Sequence, residues 1–186
     1  MTGKTLRIDE DQGELAMELS GKKVIILVEQ IFNDQEFWYP YYRLKEAWVE
    51  VIVVGSAIQT YTGKSGTQVK PDATAETVAA ADFDGIVIPG GYAPDHMRRN
   101  PAMVKLVKDL LEAGKVVAAI CHGGWMLASA KALQGRTVTS FFSIKDDLVH
   151  AGADYVDQEV VVDDKLITSR KPDDLPAFMR AIIEAL

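Results

Sequence analysis

The chain has 186 residues, 48% of them hydrophobic and 25% charged, and 20 Lys and Arg against 27 Asp and Glu give it a net charge of −7. That length suits one domain with a substantial core. Dispersed basic residues on an acidic chain argue against nucleic acid as the main partner, and a single cysteine excludes an internal disulfide or a multi-cysteine metal site. Without a signal segment or long apolar span, the sequence predicts a cytoplasmic protein that uses no membrane.

Residues 1–21 are polar and broken by Gly3, Gly13 and Gly21, and they read as an N-terminal extension to one domain over 22–186. Val24–Val28, Val51–Val54, Ile86–Ile88 and Val116–Ile120 are uninterrupted apolar runs of strand length, as in a parallel sheet covered on both faces. Helical patterns lie at about 36–48 and 101–113, and Gly114 suits the end of the second. Thr60–Lys70, with Gly63 and Gly66, reads as a small hairpin. A helix at about 123–132 precedes a strand near Thr137–Ser140 and a short helix around Ile144–Ala151. Strands near 158–162 and 165–169 form a hairpin across Asp163-Asp164, and a final helix runs from about 173 through Phe178 and Ile182. Alternating strands and helices predict an open α/β sheet with right-handed crossovers.

The most informative stretch is Val116–Gly124, in which an apolar run ends at Cys121 and is followed by His122-Gly123-Gly124. A buried structural cysteine is the plain reading of a lone thiol. A strand that delivers a nucleophile to a sharp turn before a helix is the other, and there the helix N-terminus favours thiolate. Sites in open α/β sheets form beyond the carboxyl ends of the strands, which places Glu36, the Gly90–His96 loop and Cys121 along one edge. Asn33-x-x-Glu36 is either a capping arrangement or a way of pointing a carboxyl group at Cys121. Gly90-Gly91 is either a tight turn or a source of N–H donors for an oxyanion, with the His122 N–H as second donor. Asp95 is either a solvated loop acid or a cap for the helix beginning near His96. His122 is a base only if some special geometry turns it back toward its neighbour. His96 and His150 read as surface residues, and three scattered histidines make no metal site. Phe37, Trp38, Tyr39, Tyr41, Tyr42 and Trp48 crowd one predicted helix, so some must face a pocket or another subunit.

Ordered matches from Lys23 to the C-terminus resemble the ThiJ/PfpI superfamily, and within it the intracellular protease I (PfpI-like) branch. They include Tyr39-Pro40-Tyr41-Tyr42-Arg43-Leu44, Pro89-Gly90-Gly91-Tyr92-Ala93-Pro94-Asp95, Ala119-Ile120-Cys121-His122-Gly123, Ser143-Ile144-Lys145-Asp146-Asp147 and Thr168–Leu175. The resemblance implies a flavodoxin-like three-layer α/β sandwich with a mostly parallel central sheet and no cofactor. It implies Cys121 as nucleophile, His122 as catalytic histidine and Glu36 as the acid bonded to the sulfur. Asp95 falls on an acid that reaches the histidine from an adjacent subunit, and the N–H groups of Gly91 and His122 fall on the oxyanion hole. Dimers or hexamers are the implied assemblies. Gly124-Trp125 stands where the family usually has Pro, Phe141 where the protease-like branch often has Tyr, and Asp95 where it has the longer Glu.

Three functions follow from these residues. The leading one is a cysteine hydrolase of the peptidase or amidase type. The alternatives are a glyoxalase III or deglycase-like enzyme acting on 2-oxoaldehydes or glycated adducts, and a stress-response redox sensor through oxidation of Cys121. Tyr92, Trp125 and Phe141 as pocket walls would favour a small carbonyl substrate over a folded protein. A class I glutamine amidotransferase is excluded because no histidine follows His150.

Overall fold

A computed structural model describes residues 19–186. The extension expected over 1–21 lies, for residues 1–18, outside the described residues. The main sheet has seven strands: β1 (Lys23–Leu27), β2 (Glu50–Gly55), β5 (Ala73–Thr74), β6 (Gly85–Ile88), β7 (Val116–Ile120), β10 (Val160–Asp163) and β11 (Leu166–Ser169). Their spatial order is β10-β11-β7-β6-β1-β2-β5, and every pairing is parallel except the β10–β11 hairpin. Central β1 aligns Ile25 with Ile52 on one side and Ile86 on the other. Every residue of β6 and β7 is buried, which is why these strands read as unbroken apolar runs.

Helices cover both faces, giving the three-layer arrangement. Helix α1 (Asp34–Glu46) packs with the C-terminal α6 (Leu175–Ala185). Buried Leu175, Phe178, Met179, Ile182 and Ile183 of α6 follow the helical repeat. The second group comprises α2 (Ala93–Met97), α3 (Pro101–Glu112), α4 (Gly124–Ser129) and α5 (Lys145–His150). Asn100 caps α3, accepting the N–H groups of Ala102 and Met103, and Pro101 supplies a first-turn residue that needs no N–H partner.

Several local expectations are corrected. Helix α1 starts and ends about one half-turn early, so Trp48 lies beyond it, at φ +62 and 70% exposed. The strand expected near 137–140 is β8 (Thr137–Val138), which leaves the main sheet and pairs in parallel with β9 (Asp154–Tyr155), a strand without a sequence signal. The β10–β11 turn is Asp164-Lys165, because Asp163 still pairs with Leu166. The 60–70 hairpin is present as β3 (Tyr61–Thr62) and β4 (Gln68–Val69). Among the described residues, no helix is long and apolar enough to cross a membrane.

Candidate active site

Cys121 leaves β7 with φ +60, a conformation that costs an L-residue about 1–3 kcal/mol and persists only where neighbours impose it. The neighbours here are specific. The Phe141 N–H donates to the Cys121 carbonyl at 3.3 Å, and Gly123 passes so close to β6 that a Cβ would stand 2.6 Å from the Ile88 carbonyl oxygen. A short 3-10 turn, Cys121–Gly123, then runs into α4. This kink resolves the difficulty of adjacent residues pointing apart: Cys121 Sγ and His122 Nδ1 lie 3.2 Å from each other.

Glu36 reaches the same point from α1. Asn33 caps that helix, its side-chain oxygen accepting the Gln35 and Glu36 N–H groups at 3.1 and 3.3 Å. The reciprocal half of a capping box is missing, because the Asn33 N–H donates to the Gly90 carbonyl at 3.2 Å. The Glu36 side chain turns inward instead, 0% exposed, and its Oε2 accepts the Gly90 N–H at 2.7 Å. Its Oε1 has no nitrogen or oxygen partner, and the group left facing the carboxyl is the Cys121 thiol.

Burial dominates the electrostatics. It pushes Glu36 from 4.5 to about 7, against the opposing pulls of the Gly90 N–H, Cys121 and Lys64. Burial first, and the Glu36 charge second, push the Cys121 thiol from 9.0 to about 12, although the His122 and Gly91 N–H groups favour the anion. The N–H groups at the helix start favour thiolate as expected, but desolvation and the neighbouring carboxylate outweigh them. Burial and Lys64 lower His122 below its ordinary 6.5, so its imidazole is neutral at pH 7. The resting site holds a thiol, a neutral imidazole and a carboxyl that exchanges its proton near neutrality.

Cys121, His122, Glu36 and Gly91 open onto one cavity of about 660 Å³, walled by Tyr92, Trp125 and Phe141. The His122 ring sits 5.1 Å from both the Trp125 and Phe141 rings. Ile31, Asn33, Lys64 and Pro172 complete the lining. Asp95 is not in it: the residue stands in the first turn of α2, paired with Arg99. His96 lines a separate cavity with Ser56, Glu76 and Arg99, and His150 is exposed at the end of α5. Among the described residues, no group of three or more His, Cys, Asp or Glu is placed to hold a metal ion.

The sequence profile of the DJ-1/PfpI family matches residues 22–185, nearly the whole described chain. The chain belongs to the DJ-1/PfpI family. It is 45% identical over 164 residues to a Pyrococcus horikoshii protein named a deglycase, covering 88% of this chain and 99% of that one. A Bacillus subtilis relative named a putative cysteine protease is 41% identical, over 89% of this chain and 98% of its own. Among solved structures, a two-domain protein from Anabaena variabilis, with DJ-1/ThiJ/PfpI-like and ferritin-like domains, superposes with a TM-score of 0.87 at 48% identity. That match covers 88% of this chain and 47% of the longer one.

Two polar residues of this DJ-1/PfpI site escaped the sequence reading. Ser143 Oγ lies 3.2 Å from His122 Nε2, and Lys64 comes from the β3–β4 turn. Both arrive from loops remote in sequence from Cys121: Ser143 lies in the Ser143–Asp147 stretch that carries the family resemblance without a role attached to it, and Lys64 in a polar turn. Gly90, by contrast, is required by contact: a Cβ there would lie 2.7 Å from Cys121 Cβ, 2.7 Å from Glu36 Oε2 and 2.9 Å from the His122 nitrogen. Gly90→Ala is expected to destabilise the fold by about 1–3 kcal/mol, because backbone and two site side chains must all give way. Thermal melts should show the loss, together with altered alkylation kinetics at Cys121. An unchanged melting point and thiol reactivity would contradict this packing.

Proposed function

We propose that the chain is a cofactor-independent enzyme of the deglycase and glyoxalase type, with Cys121 as nucleophile, His122 as base and Glu36 as the acid that governs the thiol. The observation that carries this reading is the meeting of Sγ, Nδ1 and a buried, near-neutral carboxyl at the floor of one aromatic-walled cavity. With Glu36 protonated, the repulsion on Cys121 disappears and the carboxyl donates toward sulfur, so an arriving carbonyl is met by a nucleophile formed on demand.

With methylglyoxal, the Cys121 thiol adds to the aldehyde carbon while His122 takes and returns the thiol proton, giving a hemithioacetal. Transfer of the hydrogen from C1 to C2 through an enediol oxidises C1 and reduces C2, leaving a lactoyl thioester. Water then cleaves the thioester, releasing lactate and the thiol; the only co-reactant is water. A glycated amine gives lactate and the free amine by the same balance. We assign the oxyanion to the Gly91 and His122 N–H groups, a reading supported by their favouring negative charge at the neighbouring sulfur.

The peptidase or amidase reading uses the same residues, and one relative's name supports it. The enclosing Tyr92, Trp125 and Phe141 favour the small carbonyl, as does the deglycase name of the Pyrococcus relative. We further propose a homo-oligomer, because Tyr39, Tyr42, Trp48 and Phe142 leave large apolar surfaces exposed. Any part for Asp95 in catalysis is proposed to lie across a subunit boundary, since within the chain its carboxylate is taken by Arg99. The test is lactate formation from methylglyoxal, amine release from its lysine adduct, and cleavage of a fluorogenic peptide, all on one preparation. Lactate and amine without peptide cleavage is the expected result; cleavage without lactate would restore the peptidase reading.

A further inference from the structure

We infer that Ser143 is a positioning residue that fixes the tautomer of His122, accepting its Nε2–H so that Nδ1 presents a lone pair to the Cys121 thiol. A neutral imidazole carries one N–H, and the partner of one ring nitrogen decides the role of the other. Here the two nitrogens have one protein partner each: Nδ1 faces Sγ at 3.2 Å and Nε2 faces Ser143 Oγ at 3.2 Å. With the proton on Nδ1 the ring could still accept the Ser143 hydroxyl at Nε2, but it could take no proton from the thiol. With the proton on Nε2, Ser143 accepts it and the Nδ1 lone pair faces the thiol, which is the form a base toward Cys121 requires.

The segment bearing Ser143 is anchored to the elbow itself. The N–H of Phe141 holds the Cys121 carbonyl, the Phe141 ring packs on His122, and a 3-10 turn, Phe142–Ile144, carries the serine across the outer ring nitrogen. A carboxylate in this place would steady an imidazolium, as in hydrolytic triads. A neutral hydroxyl orients the ring without that effect, which agrees with a histidine kept neutral at pH 7. The other titratable groups around the ring are Cys121, Glu36 from α1 and Lys64 from the β3–β4 turn.

This inference rests on His122 acting as the base toward Cys121. It is tested first without substrate, by ¹⁵N chemical shifts of the His122 ring in wild type, Ser143→Ala and Ser143→Thr at pH 7. The wild type and Ser143→Thr should show the Nε2–H tautomer, and Ser143→Ala a mixture of both. Alkylation of Cys121 by iodoacetamide and kcat on methylglyoxal should fall in Ser143→Ala by about one to two orders of magnitude, part of what a positioned general base contributes, with KM little changed. Recovery of both in Ser143→Thr supports positioning rather than packing. Ser143 is exposed, so the alanine variant should keep wild-type amide spectra elsewhere. An unchanged tautomer in Ser143→Ala overturns the inference. A tautomer that responds while no variant, wild type included, turns over methylglyoxal supports the role of Ser143 and overturns the proposed reaction instead.

Discussion

Cys121→Ala is expected to reduce lactate formation and adduct cleavage by about three orders of magnitude or more, because the proposed covalent intermediate forms on the Cys121 sulfur. Stability should move little. Alanine inherits the φ +60 backbone and its strain, and loses only the contacts of one buried sulfur. Cys121→Gly makes the complementary point: glycine adopts that φ freely, so the variant should recover about 1 kcal/mol of strain, offset by the lost side chain. Cys121→Ser should also be inactive, since a hydroxyl needs a stronger base than a neutral imidazole steadied by a serine. Activity assays with thermal melts on the three variants check this. More than a few percent of wild-type turnover in Cys121→Ala would sink the assignment of the nucleophile.

Glu36→Gln is expected to flatten the pH dependence of stability between about pH 4.5 and 7. In the unfolded chain Glu36 ionises near 4.5, whereas burial in the folded chain delays its ionisation to about 7. Below 4.5 the group is protonated in both states and imposes no penalty. As pH rises through that window, the unfolded state gains the charge it can solvate and the folded state lags. Folding loses ground until about pH 7, where the loss amounts to about 3 kcal/mol at 1.36 kcal/mol per pKa unit. Glutamine is neutral throughout, and its amide oxygen still accepts the Gly90 N–H. Urea unfolding should therefore find variant and wild type alike near pH 4 and the variant more stable at pH 8. The Cys121 thiol should also titrate lower in the variant, because the carboxylate that helped push it up is gone. Parallel stability curves for the two proteins across pH 4–8 would place the Glu36 charge outside the buried site.

The sheet was legible because β1, β2, β6 and β7 are covered on both faces and carry continuous apolar runs. Strands β5 and β9 were not: Ala73-Thr74 and Asp154-Tyr155 are two residues each, held by pairing partners distant in sequence. In the site, Cys121 followed by small residues and Asn33-x-x-Glu36 opening a helix are local patterns, and both marked residues that meet. The pressures that keep the thiol protonated were not legible, for a physical reason. A helix terminus is visible in sequence, whereas desolvation and the approach of Glu36 arise only when α1 and the elbow pack together. Ser143 and Lys64 enter through tertiary contact alone.

Asp34, just inside α1, accepts the N–H groups of Ser65 and Thr67 and the Thr67 hydroxyl. These bonds outweigh its burial and hold the carboxyl below its ordinary range. Gly63 lies against it, leaving no room for a Cβ, which would sit 2.5 Å from the carboxylate. The β3–β4 turn that lends Lys64 to the cavity lies outside the seven-stranded sheet and is fastened by the Asp34 side chain together with the Lys64 N–H on the Phe32 carbonyl and the Trp38 indole N–H on the Thr67 hydroxyl. Loosening Asp34 would therefore displace Lys64, whose charge bears on both Glu36 and His122, and so alter the ionisation of the site from a position two residues away from Glu36 along α1.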